Sequence, residues 1–458
     1  MTADSSQHPV VKPVRYRRVA RWFDAEILFG VLSKFASAIY GLGSVILVGH
    51  FLSPMQQGFF FSLMSFATLS MLVDLGLNTA LIQFTSHECA RADAATTDEE
   101  RDEARSRLVS IGRFAMRWFC CASVAFFVVG GIGGELFFVS LPGGEEVVWG
   151  PWPLLAAAIA CDVALLPAWS LLEGAGYVRE VYSYRTGRMI FLALGTWTVL
   201  ALGGGLWALA FGYIAVFPLS ISMALRHRTF FGQYFAPSVR GRVSWLNEMM
   251  PLQWRLAGSW LAGYLTFWST TPICMKLLDP VSAGRIGMAL SLAMGIGSVG
   301  DALVMVKFRQ FGTLVVLRRW RELDRLALRQ GLAAAALTLM GSVCVFLSAA
   351  ILDALGDPFA QRLPTLPTLA TIFVANLLLH ATVPMVAYLR AHKREPFLWP
   401  SVALTVVMVS TIIILGALDG EFGVAMAYLI TSALYVPGAV VLFTYCRRAW
   451  HRAMRHDG

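Results

Sequence analysis

Eight residues of this chain carry groups able to bind, take up protons or stack where such groups are costly: Lys34, Asp74, Asp162, Glu173, Arg255, Trp260, Tyr264 and Asp301. Each lies within or at the edge of a long apolar run. A charge at the centre of a membrane-spanning helix costs at least about 2.5–3.5 kcal/mol, so each charged member needs a reason in function or in packing. Lys34 stands ten residues past Asp24, inside the first helix, and Ser37, Ala38, Gly41 and Ser44 share its face at helical spacing. A face of small and polar residues turns to other helices or to water rather than to acyl chains. Lys34 then either binds an anion in a cavity or snorkels to the cytoplasmic interface. Ten residues of helix are about 15 Å, a long way to snorkel.

Arg255, Trp260 and Tyr264 occupy one later run, with Trp268 a further turn on. The guanidinium offers a planar fork for phosphate oxygens. Aromatic faces suit the apolar C–H surfaces of sugars, an extension of their amphipathic character. The alternative is an interfacial arginine with a belt of aromatics. That belt accounts for Trp245 and Trp268 but not for Trp260 and Tyr264 at mid-depth. Asp74 continues a polar stripe, Ser70–Asp74–Asn78, and Asp301 recurs at similar depth in a later run. The two aspartates either take up a coupling ion (H+ or Na+) or cap and pin helices near a gate. Asp162 and Glu173 in the fourth run are further carboxylate candidates. His380 reads as a packing histidine rather than a proton relay.

The elements that must position these groups follow from composition. Of 458 residues 57% are hydrophobic and 14% charged, with mean hydropathy +0.64. A soluble protein carries roughly 25% charged residues and about 45–50% apolar ones. Windows of about 20 apolar residues predict twelve spans, at roughly 27–50, 58–84, 112–140, 152–174, 187–204, 206–225, 253–275, 284–307, 330–352, 364–389, 397–417 and 422–446. With both termini cytoplasmic, all but four of the 37 Lys and Arg fall on the cytoplasmic side. The four are Lys34, Lys276, Arg285 and Arg362. The outer loops are short and lean acidic, the positive-inside pattern. The net charge of +9 therefore reports topology rather than nucleic-acid binding. The seven cysteines show no CxxC spacing, so neither zinc nor a disulfide framework is expected. The first run is too long for a signal-peptide core and reads as a retained span.

One turn occurs twice. "LSPMQQGFF" (52–60) separates the first two runs and "LDPVSAGRI" (278–286) separates the seventh and eighth, so Leu52, Pro54 and Gly58 each recur 226 positions later. Pro54 and Gly58 are expected to end one helix and begin the next, with Gln56 and Gln57 in water. "YVREVY" (177–182) and "HKREPF" (392–397) form a second related pair. The chain thus divides into a basic tail (1–26), a six-helix lobe (27–225), an interfacial linker (226–252), a second six-helix lobe (253–446) and a basic tail (447–458). Six is even, so both lobes start on the same side and form parallel repeats around a shared cavity, suited to alternating access.

"LSPMQQGFFFSLMSFATLSMLVDLGLNTALIQFTSHE" (52–88) resembles the signature region of bacterial oligosaccharide flippases, the Wzx-type members of the multidrug/oligosaccharidyl-lipid/polysaccharide (MOP) exporter superfamily. "EGAGYVREVYSYR" (173–185), "SWLNEMMPLQWRLAGSWLAGYL" (244–265) and "YLRAHKREPFL" (388–398) resemble segments of polysaccharide-biosynthesis membrane proteins. The resemblance implies an all-α polytopic fold of two six-helix lobes in a bacterial inner membrane. It implies a prenyl-pyrophosphate-linked oligosaccharide as substrate, with membrane lipids and a glycan polymerase as partners, and no cofactor. Lys34 and Arg255 are the cations it carries over to the pyrophosphate. Two other classes compete. A cation or drug antiporter would use Asp74 or Asp301 as its coupling carboxylate. An enzyme of glycan assembly would be expected to bring a sizeable outer loop or an acidic motif, and neither GxxxxGK, GxGxxG, HExxH nor GxSxG occurs in a usable context; a scaffold of glycan assembly is a further alternative.

Overall fold

The computed structural model describes residues 23–74, 76–235, 244–245, 250–392 and 396–456. Within them, the side chains of 23–31, 34, 251–252, 255–256, 259–260, 309 and 452–456 lie outside the described set. Among the described residues all regular structure is helical. An apolar chain in lipid has little choice, because a helix satisfies every backbone N–H and C=O within itself.

Helices stand at all twelve predicted places. In the first half these are α1 (Phe23–Phe51), α2 (Pro54–Thr68, continued by Ser70–Asp74 and Leu77–Ala94), α3 (Asp98–Ala125, continued through a π-helical turn into Gly131–Val139), α4 (Pro151–Gly174), α5 (Val178–Ala201) and α6 (Trp207–Arg226). In the second half they are α7 (Met250–Phe267, then Thr270–Leu277), α8 (Pro280–Val306), α9 (Trp320–Ala354), α10 (Leu366–His380, then Val383–Arg390), α11 (398–418) and α12 (421–456). The last two are separated by non-helical backbone at Asp419 and Gly420. Among the described residues eight helical stretches are long and apolar enough to cross a membrane, and one of them, Leu398–His451, holds both α11 and α12. The molecule is an all-α, multi-pass membrane protein of two six-helix lobes.

One boundary that matters for the site is that of α5, expected from 187 and found from Val178. Arg185 and Arg188 therefore lie about 10 and 15 Å inside a helix rather than before it or at its start. The cause is visible at the end of α4, where Gly176 adopts φ +92° and stops that helix two residues before α5 begins.

The repeated turn uses the same capping device in both copies. Before α2, the Ser53 hydroxyl accepts from the Gln56 amide at 3.2 Å while the Ser53 amide donates to Gln56 Oε1 at 3.1 Å. Before α8, Asp279 accepts from the amides of Val281 and Ser282 at 2.8 and 3.0 Å. Each cap is followed by proline at the first helical position, where its missing N–H costs nothing.

Gly58, in contrast, does not mark a helix boundary. It lies inside α2 and packs against the other copy of the turn. A Cβ on Gly58 would fall 1.9 Å from the Pro280 carbonyl oxygen, and one on Gly284 would fall 2.8 Å from the Gly58 amide nitrogen. One turn further on, Phe61 covers Gly287, again 226 positions apart. Equivalent positions touch each other only where a two-fold axis passes, so the lobes meet at the axis along α2 and α8. Gln57 is buried there, not solvated as the sequence suggested. Its amide donates across the axis to the carbonyl oxygens of Gly284 and Arg362, both at 3.0 Å. Within the first lobe α5 packs on α1 and α6; within the second α8 packs on α9, and α10 on the α11–α12 helix.

Candidate transport site

The first lobe binds its carboxylates tightly. Arg188 Nη2 donates to Asp162 Oδ2 at 2.6 Å between α5 and α4, and the guanidinium lies 5.7 Å from the centre of the Tyr213 ring. Arg185 Nη2 donates to Glu173 Oε2, also at 2.6 Å, with its guanidinium 4.9 Å from the Tyr182 ring. Both carboxylates are largely buried, and an ionised carboxylate in such a place is tolerable only with a partner. Asp74 has a different task. It ends Ser70–Asp74, and its Oδ1 accepts from the Asn78 amide at 2.8 Å. Asn78 Oδ1 in turn accepts from the Ser170 hydroxyl of α4 at 2.7 Å. Gly76, with φ +74°, lets the chain bend before the next helix starts. Asp74 thus stands as an acceptor at a helix break.

The second lobe holds its aspartate differently. Asp301, in the last two turns of an unbroken α8, faces His380, the final residue of the first part of α10. His380 Nδ1 lies 3.0 Å from both carboxylate oxygens of Asp301. The imidazole rests on Gly297, one turn before Asp301 in α8. A Cβ there would fall 2.1 Å from His380 Nε2, so the ring occupies space that only glycine leaves. The pair borders a cavity of about 380 Å³ enclosed by α7, α8, α10, α11 and α12. Ser298, Arg390, Ser401 and Tyr435 also line it. A second cavity of about 370 Å³ lies between α9, α10 and α12, with the Asp324–Arg447 ion pair on its wall. Both lie within the second lobe, and neither is the shared inter-lobe cavity expected from the sequence.

Of the predicted substrate contacts, the side chains of Lys34, Arg255 and Trp260 lie outside the described residues. Tyr264 crosses the seam between lobes, its hydroxyl donating to the Ser65 carbonyl of α2 at 3.3 Å. On the face of Lys34, Ala38 and Ser44 are buried, and the Ser44 hydroxyl accepts from the Trp197 indole of α5 at 3.0 Å. The Cβ position of Gly41 meets no neighbouring atom within 4 Å.

Two residues escaped the sequence reading. Arg188 falls at the very start of the span expected at 187–204, although the Gly-Ala-Gly stop at 174–176 marks an earlier start for α5. His380 reads from the sequence as packing, and no local signal joins it to Asp301, 79 positions away.

No protein-family model matches the chain, and no curated protein matches it. Solved structures do. An inward-facing multidrug resistance MATE family transporter of the MOP superfamily aligns over 92% of this chain and 99% of its own, with TM-score 0.60 and 15% identity. The lipid II flippase MurJ in an inward closed conformation aligns over 92% and 87%, with TM-score 0.59 and 14% identity. A MOP superfamily transporter from Pyrococcus furiosus, described as having a binding pocket of reversed polarity, aligns over 94% and 96%, with TM-score 0.60 and 13% identity. The chain has the fold of these transporters over nearly its whole length.

Proposed function

We propose that this protein translocates a lipid-linked oligosaccharide from the cytoplasmic to the outer leaflet of a bacterial inner membrane by alternating access. The fold is shared by drug transporters and by a lipid flippase, so the choice rests on charge. In the first lobe Asp162 and Glu173 are matched by arginines and Asp74 by backbone, so none of the three is free to neutralise a cationic drug. The cations on α1 and α7, Lys34 and Arg255, would meet the pyrophosphate, and aromatic faces on α7 the sugars. The prenyl tail would stay in lipid. No reaction on the glycan is required of the protein, which acts as a transporter rather than an enzyme.

A cation antiporter is the second reading, favoured by Asp301, whose carboxylate faces a cavity. One experiment separates the two. Purified protein in liposomes is given a fluorescent lipid-linked oligosaccharide or a cationic dye. The proposal expects flipping of the glycolipid, with a large loss in the Lys34→Ala/Arg255→Ala double variant. Dye transport without glycolipid flipping would replace it by the antiporter. Flipping at the wild-type rate in the double variant would remove the assigned cations.

A further inference from the structure

We infer that Asp301 and His380 form a proton-binding dyad in the second lobe, and that this dyad, not Asp74, couples transport to a proton gradient. The inference rests on the transporter reading above and adds the ion and its site. Three observations carry it. The imidazole Nδ1 sits at 3.0 Å from both oxygens of one carboxylate, so the pair can hold or release a proton with little movement. The pair borders a 380 Å³ cavity, and neither side chain is sealed off: Asp301 is 27% and His380 15% exposed. Gly297 makes room for the ring at the expense of packing.

The charge inventory is short. On the cavity lining, α8 brings Asp301 and α10 brings His380 and Arg390, while α12 brings the Tyr435 phenol. Among the described residues α7 and α11 bring neutral polar groups, Thr266 and Ser401. With His380 neutral, its Nδ1–H donates to the ionised carboxylate and the pair carries one negative charge. Uptake of one proton makes the pair neutral, and release restores the charge. A sodium ion would be expected to gather several oxygen donors; here one side of the carboxylate is taken by a ring nitrogen. The dyad also stands where a change can be transmitted. His380 precedes the break in α10 at Ala381–Thr382, and Asp301 belongs to the helix whose outer end abuts α2. About 25 Å of unbroken helix separates Asp301 from Gly284 at the two-fold axis. Loading the dyad changes how α8 is tied to α10, and α8 carries that change to the contact between lobes.

The test reads proton binding directly, apart from any substrate. Infrared difference spectra are recorded on the full-length protein in lipid nanodiscs between about pH 5 and pH 8, where histidine changes charge. Wild type is expected to show paired carboxylate and imidazole bands. Asp301→Asn and His380→Gln should each abolish them, and Asp74→Asn should leave them intact. Gly297→Ala keeps both groups but places a methyl under the ring, and should move the titration midpoint by about one pH unit, a tenfold change in proton affinity. Identical spectra from wild type and both dyad variants would overturn the inference. So would bands that respond to sodium replacing potassium at constant pH. If the dyad titrates while liposomes flip no glycolipid, the function proposed above falls and the proton site stands. In flipping liposomes, an imposed pH gradient should accelerate wild type and leave Asp301→Asn unaffected.

Discussion

Asp74 and Asp301 lie 16 and 17 residues after the repeated glycines Gly58 and Gly284, yet the first closes a helix and the second faces a cavity. The backbone explains the difference. In the first lobe the span that begins with α2 breaks at Leu69 and again before Gly76, and each break exposes amides that need an acceptor. Asp74 supplies one. In the second lobe α8 runs unbroken from Pro280 to Val306, so both oxygens of Asp301 remain for a neighbouring helix. The same contrast runs through the other charges. Asp162 and Glu173 are matched by arginines that never release a proton, whereas Asp301 is matched by a histidine, which does. A repeat thus conveys a position along the chain, and the surroundings decide the use of the group placed there.

Substitutions can break or sharpen this contrast. The largest effect is expected at Arg188. Replacing it with alanine leaves Asp162 without its partner in a low-dielectric setting, at about 3 kcal/mol. Thermal unfolding in detergent should show a clear loss for Arg188→Ala, with much of it recovered in Asp162→Asn/Arg188→Gln, since both charges are then gone. Full stability of the single variant would mean that the pair is not structural. Next comes Gly58→Ala, whose methyl would press on the backbone of Pro280. Overpacking of this kind costs about 1–3 kcal/mol. It should also loosen the outer seam, read as faster labelling of a cysteine placed at Ser282. Unchanged labelling would remove the assignment of α2 and α8 to the lobe interface.

Smaller effects remain. Gln57→Ala withdraws a donor from two carbonyls at the same seam, and about 1–2 kcal/mol should be lost. Its position in the other copy is already Ala283, so the loss measures what the asymmetry of the turn contributes. Asp74→Ala removes a helix cap worth about 1 kcal/mol. It should leave the pH dependence of flipping as in wild type, the opposite of what Asp301→Asn should do. A pH profile altered by Asp74→Ala alone would reverse the roles assigned to the two lobes.

Much of the architecture was legible in the chain before any coordinates. Twelve apolar runs, the one-sided distribution of Lys and Arg, and the turn repeated at 226 positions are local or periodic signals. In a membrane they acquire unusual force, because lipid permits few backbone conformations and makes every buried charge conspicuous. The caps at Ser53 and Asp279 were equally local, a small polar side chain ahead of proline. The use of individual residues was not legible. Gln57 looks like a loop residue until the two copies of its turn are seen pressed together. Arg188 looks like a cation at the edge of a span until α5 is seen to begin at Val178. His380 looks like packing until Gly297 is found beneath its ring and Asp301 beside it. The sequence by itself determined that the chain is helical and apolar enough for a membrane, where its helices stand and where one turn repeats, because these depend on neighbours along the chain. Which charges are neutralised, which cap a helix and which face a cavity was decided only by the tertiary structure, because a charge takes its meaning from partners tens or hundreds of residues away.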